Sequence, residues 1–392
     1  MKRTEQPQTT QETNPSAQAP EQVPVRASTP ASAAPAQSLT WADARRIAAF
    51  GLLFVLLLTL FSKLMQPTKW FDAQRLQNRN ARIAQMMEQE EDTIEIMNLG
   101  DSLSLTGFNP MELWKGKGYA AFNIGADGIR MSEAVYAVEE ACAAQHPKYL
   151  LMESLPLLRY SRKSDMQMLI SQPLYHRFPF LKYHSIWKTV IDGPGNKIYH
   201  RGYLVNARTD PYLGEADYLT DRKIKDTYVA QVPALNRWYF RRIHRFCEQR
   251  GITLILYSMP SPEIYNLPRV ELMQAFAGEE GVPYIDLNRH VAEIGIDWAA
   301  DTSDAGDHLN VYGSRKATLY LAGRLEELAG GGEAGALAGS EAGTADTAGE
   351  SGGAFPPLTD HRADPAYQEW NEEIPAYDTL VEQMKGKNFG DL

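Results

Sequence analysis

The chain has 392 residues and a formal net charge of −10, with no basic stripe interleaved with aromatic residues, which argues against nucleic acid as a partner. Its length suffices for one large domain or two small ones with a sizeable core. It has only two cysteines, Cys142 and Cys247, and no Cys-x-x-Cys or His-x-x-x-His spacing, so clustered zinc sites are excluded and two buried free thiols are expected.

Residues 1–44 read as a disordered tail. Up to Thr40 they are rich in Pro, Ala, Gln, Thr and Ser and hold almost no large apolar side chain to bury. Residues 45–65 read as a single transmembrane anchor, because the run from Ile47 to Phe61 is apolar and the stretch to Met65 is about long enough to cross a bilayer. A buried core helix is the alternative. No small-residue cleavage site follows, so the segment is expected to stay as an anchor. Arg45 and Arg46 argue for a cytoplasmic N-terminus, against Lys63, Lys69, Arg75, Arg79 and Arg82 on the other side. Long domains cross with little regard for such charges, so the large domain is expected outside the cell membrane. Residues 66–92 read as a charged helical stalk ending in Glu88-Gln89-Glu90-Glu91-Asp92.

Beyond the stalk, short apolar strands alternate with amphipathic helices. The strands are expected at 94–99, 119–124, 149–153, 253–257 and 283–287, and the helices at 130–145, 233–250, 262–276 and 312–328. That alternation predicts an α/β domain over 93–328, a three-layer α/β/α sandwich around a central parallel sheet. An insertion at 157–228 is rich in aromatics, among them Tyr160, Tyr175, Phe178, Phe180, Tyr183, Trp187, Tyr199 and Tyr203, with His176, His184 and His200. It suits a cap over an active site as well as a small subdomain with an ordinary aromatic core. Residues 329–357 have linker composition, and the acidic tail 358–392 carries Tyr367, Trp370, Tyr377 and Phe389, which leaves open whether it docks.

The candidate chemistry starts at Gly100-Asp101-Ser102-Leu103, where the first strand ends and a helix begins. Ligands of parallel sheets bind at the carboxyl ends of the strands, where Ser102 falls. A serine needs a base to take its proton and a third group to fix that base. His308, in the acidic, glycine-containing loop 304–310 before the last helix, is the best placed histidine. His146, His244, His290 and His361 lie on helix faces, at element ends or in the tail. Asp304 is the preferred orienting acid, since Gly306 lets the loop fold back, and Asp307 is the other candidate.

These residues resemble the SGNH, or GDSL, hydrolase superfamily. Gly100-Asp101-Ser102-Leu103 is similar to its first block, 123–128 to its second and the 304–308 loop to its fifth. The resemblance implies a flavodoxin-like fold, Ser102 as nucleophile, His308 as base, and an oxyanion hole that includes the backbone N–H of Gly128. The anchor, Gly107-Phe108-Asn109-Pro110 and His308-Leu309-Asn310 resemble anchored bacterial members akin to proteins that assist D-alanylation or O-acetylation of envelope polymers. Two positions depart from the family pattern. The third strand ends in Glu153-Ser154-Leu155-Pro156 without the asparagine that completes the oxyanion hole, leaving Ser154 as the candidate donor. Ala305 stands where the family has its aspartate.

The resulting expectation is a serine esterase or O-acyltransferase that needs no cofactor. Its expected partners are an acylated polysaccharide or similar envelope polymer, the membrane, and a membrane-bound acyltransferase. Two other readings are kept open: a non-catalytic envelope protein of the same fold, and a soluble hydrolase if residues 45–65 form a core helix. The loop also offers Asp301, Ser303 and Asp307 to a cation, but Tyr312 stands where an EF-hand needs a bidentate glutamate.

Overall fold

A computed structural model describes residues 40–64, 81–183, 197–224, 230–330 and 355–387. The disordered-tail reading up to residue 39, much of the stalk and the linker, together with His184, Trp187 and Phe389, lie outside the described residues, while residues 41–44 of that tail form the first turn of a helix. The chain divides into two compact units, residues 1–53 and 54–392. Helix α1 (Trp41–Leu64) has a mean hydropathy of 2.3 over its most apolar window and is long enough to cross a membrane, with nearly all of that window exposed. Among the described residues it is the one such helix.

The second unit is built on a five-stranded sheet. Helix α2 (Ala81–Met86) leads to β1 (Ile96–Leu99), followed by α3 (Ser102–Gly107), α4 (Pro110–Lys117), β2 (Ala121–Asn123), α5 (Met131–Ala141) and β3 (Tyr149–Glu153). After it come α6 (Leu155–Leu158), α7 (Arg162–Arg177), α8 (Pro179–Tyr183) and a hairpin of β4 (Tyr199–His200) and β5 (Tyr203–Leu204). The fold closes with α9 (Ala234–Arg250), β6 (Thr253–Ser258), α10 (Leu267–Glu280), β7 (Tyr284–Asp286), α11 (Val291–Ile294), α12 (Val311–Ala329) and α13 (Gln368–Met384). The sheet order is β2-β1-β3-β6-β7, and every pairing is parallel.

Alternate strand residues feed two separate cores. Met97, Leu150, Met152, Leu254 and Leu256 pack with α5 and α9 on one face. Ile96, Tyr149, Leu151, Ile255 and Tyr257 pack with α12 on the other. Burial of both faces is why these strands read as continuous apolar runs. Helix α10 starts later than the sequence suggests because the Asn266 side chain accepts the Arg269 N–H and caps it there.

Two segments are more tightly integrated than their composition implies. Ile83 and Met86 of α2, in the stretch with stalk composition, are core residues. Helix α13 docks by burying Trp370, Tyr377 and Met384, and Arg201 lies over the Trp370 ring at 3.5 Å. Tyr203 and Tyr218 of the aromatic insertion are fully buried. The Arg201-Gly202 turn of the β4–β5 hairpin has positive φ at both residues. It sits against the β2 edge, where the Asn123 N–H donates to the Arg201 carbonyl.

Candidate active site

The turn after β1 is shaped by close packing. A Cβ on Gly100 would lie 2.5 Å from the Ser104 Cβ and 2.6 Å from the Glu153 Cβ, so glycine is needed there. Asp101 caps α3, accepting the Leu103 N–H at 3.1 Å, and its other oxygen accepts from Arg159 Nη2 at 2.8 Å. Ser102 is half-buried at the first position of α3. Below it Asn98 donates to Ser104 Oγ, Ser104 Oγ donates to Asn123 Oδ1, and the Tyr257 hydroxyl donates to Asn98 Oδ1. These buried polar groups are all paired, which fixes the turn.

Gly128 lies in the second loop of the rim with φ of 57°. A Cβ there would meet Arg159 Nη1 at 3.6 Å, so the guanidinium lies beside Gly128 while gripping Asp101. The Arg159 carbonyl is held in turn by Asn236 Nδ2, at 3.1 Å. Arg159 is a site residue that the sequence reading passed over. Its one signal is a cation placed just after the third strand, at the carboxyl rim of a parallel sheet.

His308 comes from the loop before α12. Asn310 caps that helix through the Tyr312 and Gly313 N–H groups. Within the loop the His308 carbonyl accepts from the Ser303 N–H and the Thr302 hydroxyl, both at 3.0 Å. Ala305 and Gly306 take positive φ, and the chain folds back between Tyr212 and Pro262. The fold-back brings Asp304 Oδ2 to 2.6 Å from His308 Nδ1, and Asp304 Oδ1 accepts the His308 backbone N–H at 2.6 Å. Asp307 offers a carboxylate oxygen within 4.8 Å of the ring.

The electrostatics link the two loops. Burial works against a charged His308, yet the Asp304 hydrogen bond and the charges of Asp304, Asp307 and Asp101 outweigh it and raise the imidazole pKa. Burial likewise raises Asp101, opposed by Arg159, the Leu103 amide and His308. The Asp101 carboxylate and the His308 imidazolium thus each favour the charged form of the other. Glu153, directly behind the turn, is pushed up to about 8 by burial and by the Asp101 charge, although Tyr265 and backbone amides favour its ionised form.

Ser154 is placed differently from the expected oxyanion donor. It is fully buried, and its hydroxyl bonds Ser258 Oγ at 2.6 Å and Tyr265 OH at 2.8 Å, behind the rim. Asp301, one of the three residues the loop offers to a cation, already has partners. Asp301 is committed to Lys316, at 2.6 Å, and to the Asp297 N–H. Asp304, Asp307 and His308 have ligand atoms within 4.8 Å of one another, but the short His308–Asp304 hydrogen bond already occupies two of them.

No family model matches the chain, and neither does any curated protein. Among solved structures it is similar to a Bacteroides fragilis protein described as a "putative acylhydrolase", at 14% identity and a TM-score of 0.31, over 61% of this chain and 92% of that one. A likeness that distant carries no functional weight, so the site's own geometry has to carry the reading.

Proposed function

We propose that this chain is a membrane-anchored serine esterase or O-acyltransferase acting on a cell-envelope polymer from the outer side of the membrane. The observation that carries the reading is the His308–Asp304 hydrogen bond at 2.6 Å, with Ser102 at the first position of α3 on the carboxyl rim of the sheet. Asp304 accepts a hydrogen bond from Nδ1–H, which leaves the unprotonated Nε2 as the base. In the proposed reaction Ser102 Oγ attacks an ester carbonyl while Nε2 accepts the hydroxyl proton. Collapse of the tetrahedral intermediate breaks the ester C–O bond, and His308 returns the proton to the departing alcohol. Water then attacks the acyl-serine to release an acid, or a sugar hydroxyl attacks it to give a new ester. The backbone N–H groups of Ser102 and Gly128 are assigned to the oxyanion, with Arg159 beside them as a cationic neighbour.

A non-catalytic envelope protein, one that binds a polymer or assists a membrane acyltransferase, is favoured by one observation. The Ser154 hydroxyl is taken up in a buried network and leaves the third oxyanion donor unfilled. Covalent labelling by a fluorophosphonate separates the two readings. The enzyme reading expects the full-length chain in detergent to label and Ser102→Ala to abolish the signal. A chain that fails to label, or that labels equally well after the substitution, defeats it.

A further inference from the structure

Helix α7 is amphipathic in the inverted sense. Its solvent-facing side carries Met166, Leu169, Ile170 and Leu174, exposed by 54%, 38%, 70% and 45%. Its inward side is polar: Asp165 is buried against Arg130 at 2.8 Å, and His176 reaches Glu140 at 3.0 Å. Gln172 and Tyr175 line the adjoining cavity. Positions 166, 170 and 174 recur every four residues and so form one stripe. Arg162 and Lys163 bracket that stripe at one end and Arg177 at the other, all exposed, while the helix's sole acid, Asp165, points inward. An apolar stripe bounded by basic residues with no exposed carboxylate is the pattern of a helix lying in a membrane interface.

The chain also supplies a reason to choose lipid as the occupant. Phe61 and Ser62, in the last turn of α1, belong to the same unit as α7 and α8. The Phe61 ring lies 5.8 Å from that of Phe180 in α8, and the Phe180 N–H donates to Ser62 Oγ at 3.3 Å. Helix α8 follows α7 after a single residue, Phe178, so the stripe is tied to the end of α1. We infer that α7 lies on the bilayer surface, with Met166, Leu169, Ile170 and Leu174 in the acyl-chain boundary and Arg162, Lys163 and Arg177 at the headgroups. This docking surface is independent of the catalytic reading.

The test uses the full-length chain in lipid nanodiscs. Cys142 and Cys247 are buried, so a thiol-reactive bimane reports only an introduced cysteine. Ile170→Cys and Leu174→Cys are the probes, and Gln274→Cys on the exposed side of α10 is the water-facing control. Because an interfacial helix sinks its apolar face roughly 5–10 Å, lipids brominated on the acyl chain are expected to remove about half or more of the emission at both probes and little at the control. Quenching at 170 and 174 no greater than at 274 overturns the inference. A blue-shifted label that resists the brominated lipid overturns it too, since a second copy or another protein would then be covering the stripe. Loss of fold in one probe would expose the native thiols to the dye, and the other probe then decides.

Discussion

The turn carrying Ser102 and the loop carrying His308 lie at the same rim of the sheet, yet they are held in contrasting ways. Asp101 is wholly buried and reaches across the sheet to Arg159, above the Asn98–Ser104–Asn123 network. Asp304 is 43% exposed, and its hydrogen bonds to the ring and backbone of His308 span just four residues of one loop. The first arrangement ties the chemistry to the stability of the domain. The second is local, so its parts can be changed with little effect on folding. A substitution on the base side should therefore act on rate, and one on the nucleophile side on rate and stability together.

The largest expected effect is on the base side. His308→Gln removes the proton acceptor and should slow fluorophosphonate labelling by about a thousandfold, within the range for lost general-base catalysis, while the thermal midpoint, read at a pH above the His308 pKa, barely moves. A large fall in the midpoint would break the contrast between the two loops.

Next comes Asp101→Ala. It strips the cap from α3 and leaves the Arg159 guanidinium without its buried carboxylate. Removing one partner of a buried pair costs about 3–5 kcal/mol, and a lost cap costs about 1. Arg159 is 26% exposed and can turn toward water, so we expect about 3 kcal/mol in all, read by urea denaturation. A loss below about 1 kcal/mol would show that the pair has no structural weight.

Legibility in the sequence divides along the same line. The five strands were visible because both faces of each are buried, and Gly100-Asp101-Ser102 announced its turn by standing after an apolar run. The pairing of Asp304 with His308 is a contact over four residues, within reach of a reading that noticed Gly306. The Asp101–Arg159 pair spans 58 residues and no local pattern points to it. The bonds of the Ser154 hydroxyl are equally hidden from a local pattern, since its partners Ser258 and Tyr265 lie more than a hundred residues away. Helix α7 escaped notice as a special element because its stripe faces outward, and hydropathy alone does not tell which side of a helix is buried. The docking of α13 depends on Trp114, Asn109 and Arg201, again distant in the chain.

The smallest effect separates two neighbouring acids. A base must be neutral to accept a proton, so labelling should fall as the pH drops through the His308 pKa. Because the neighbouring carboxylates raise that pKa above the ordinary 6.5, the midpoint of the limb should lie above 6.5. Asp304→Asn removes the hydrogen bond and the nearest charge, so the limb should move to lower pH and the maximal rate should drop, since the imidazole tautomer is no longer held. Asp307→Asn removes a charge that acts on the ring through space and should shift the midpoint a little in the same direction, leaving the maximal rate nearly unchanged. The raised His308 pKa also contributes stability that is full below the unfolded value and lost as pH rises through the folded one. Asp304→Asn should flatten that decline more than Asp307→Asn does. Equal shifts from the two substitutions would mean that the ring responds to the loop's overall charge rather than to the Asp304 hydrogen bond, and the distinction between local geometry and general field would fail.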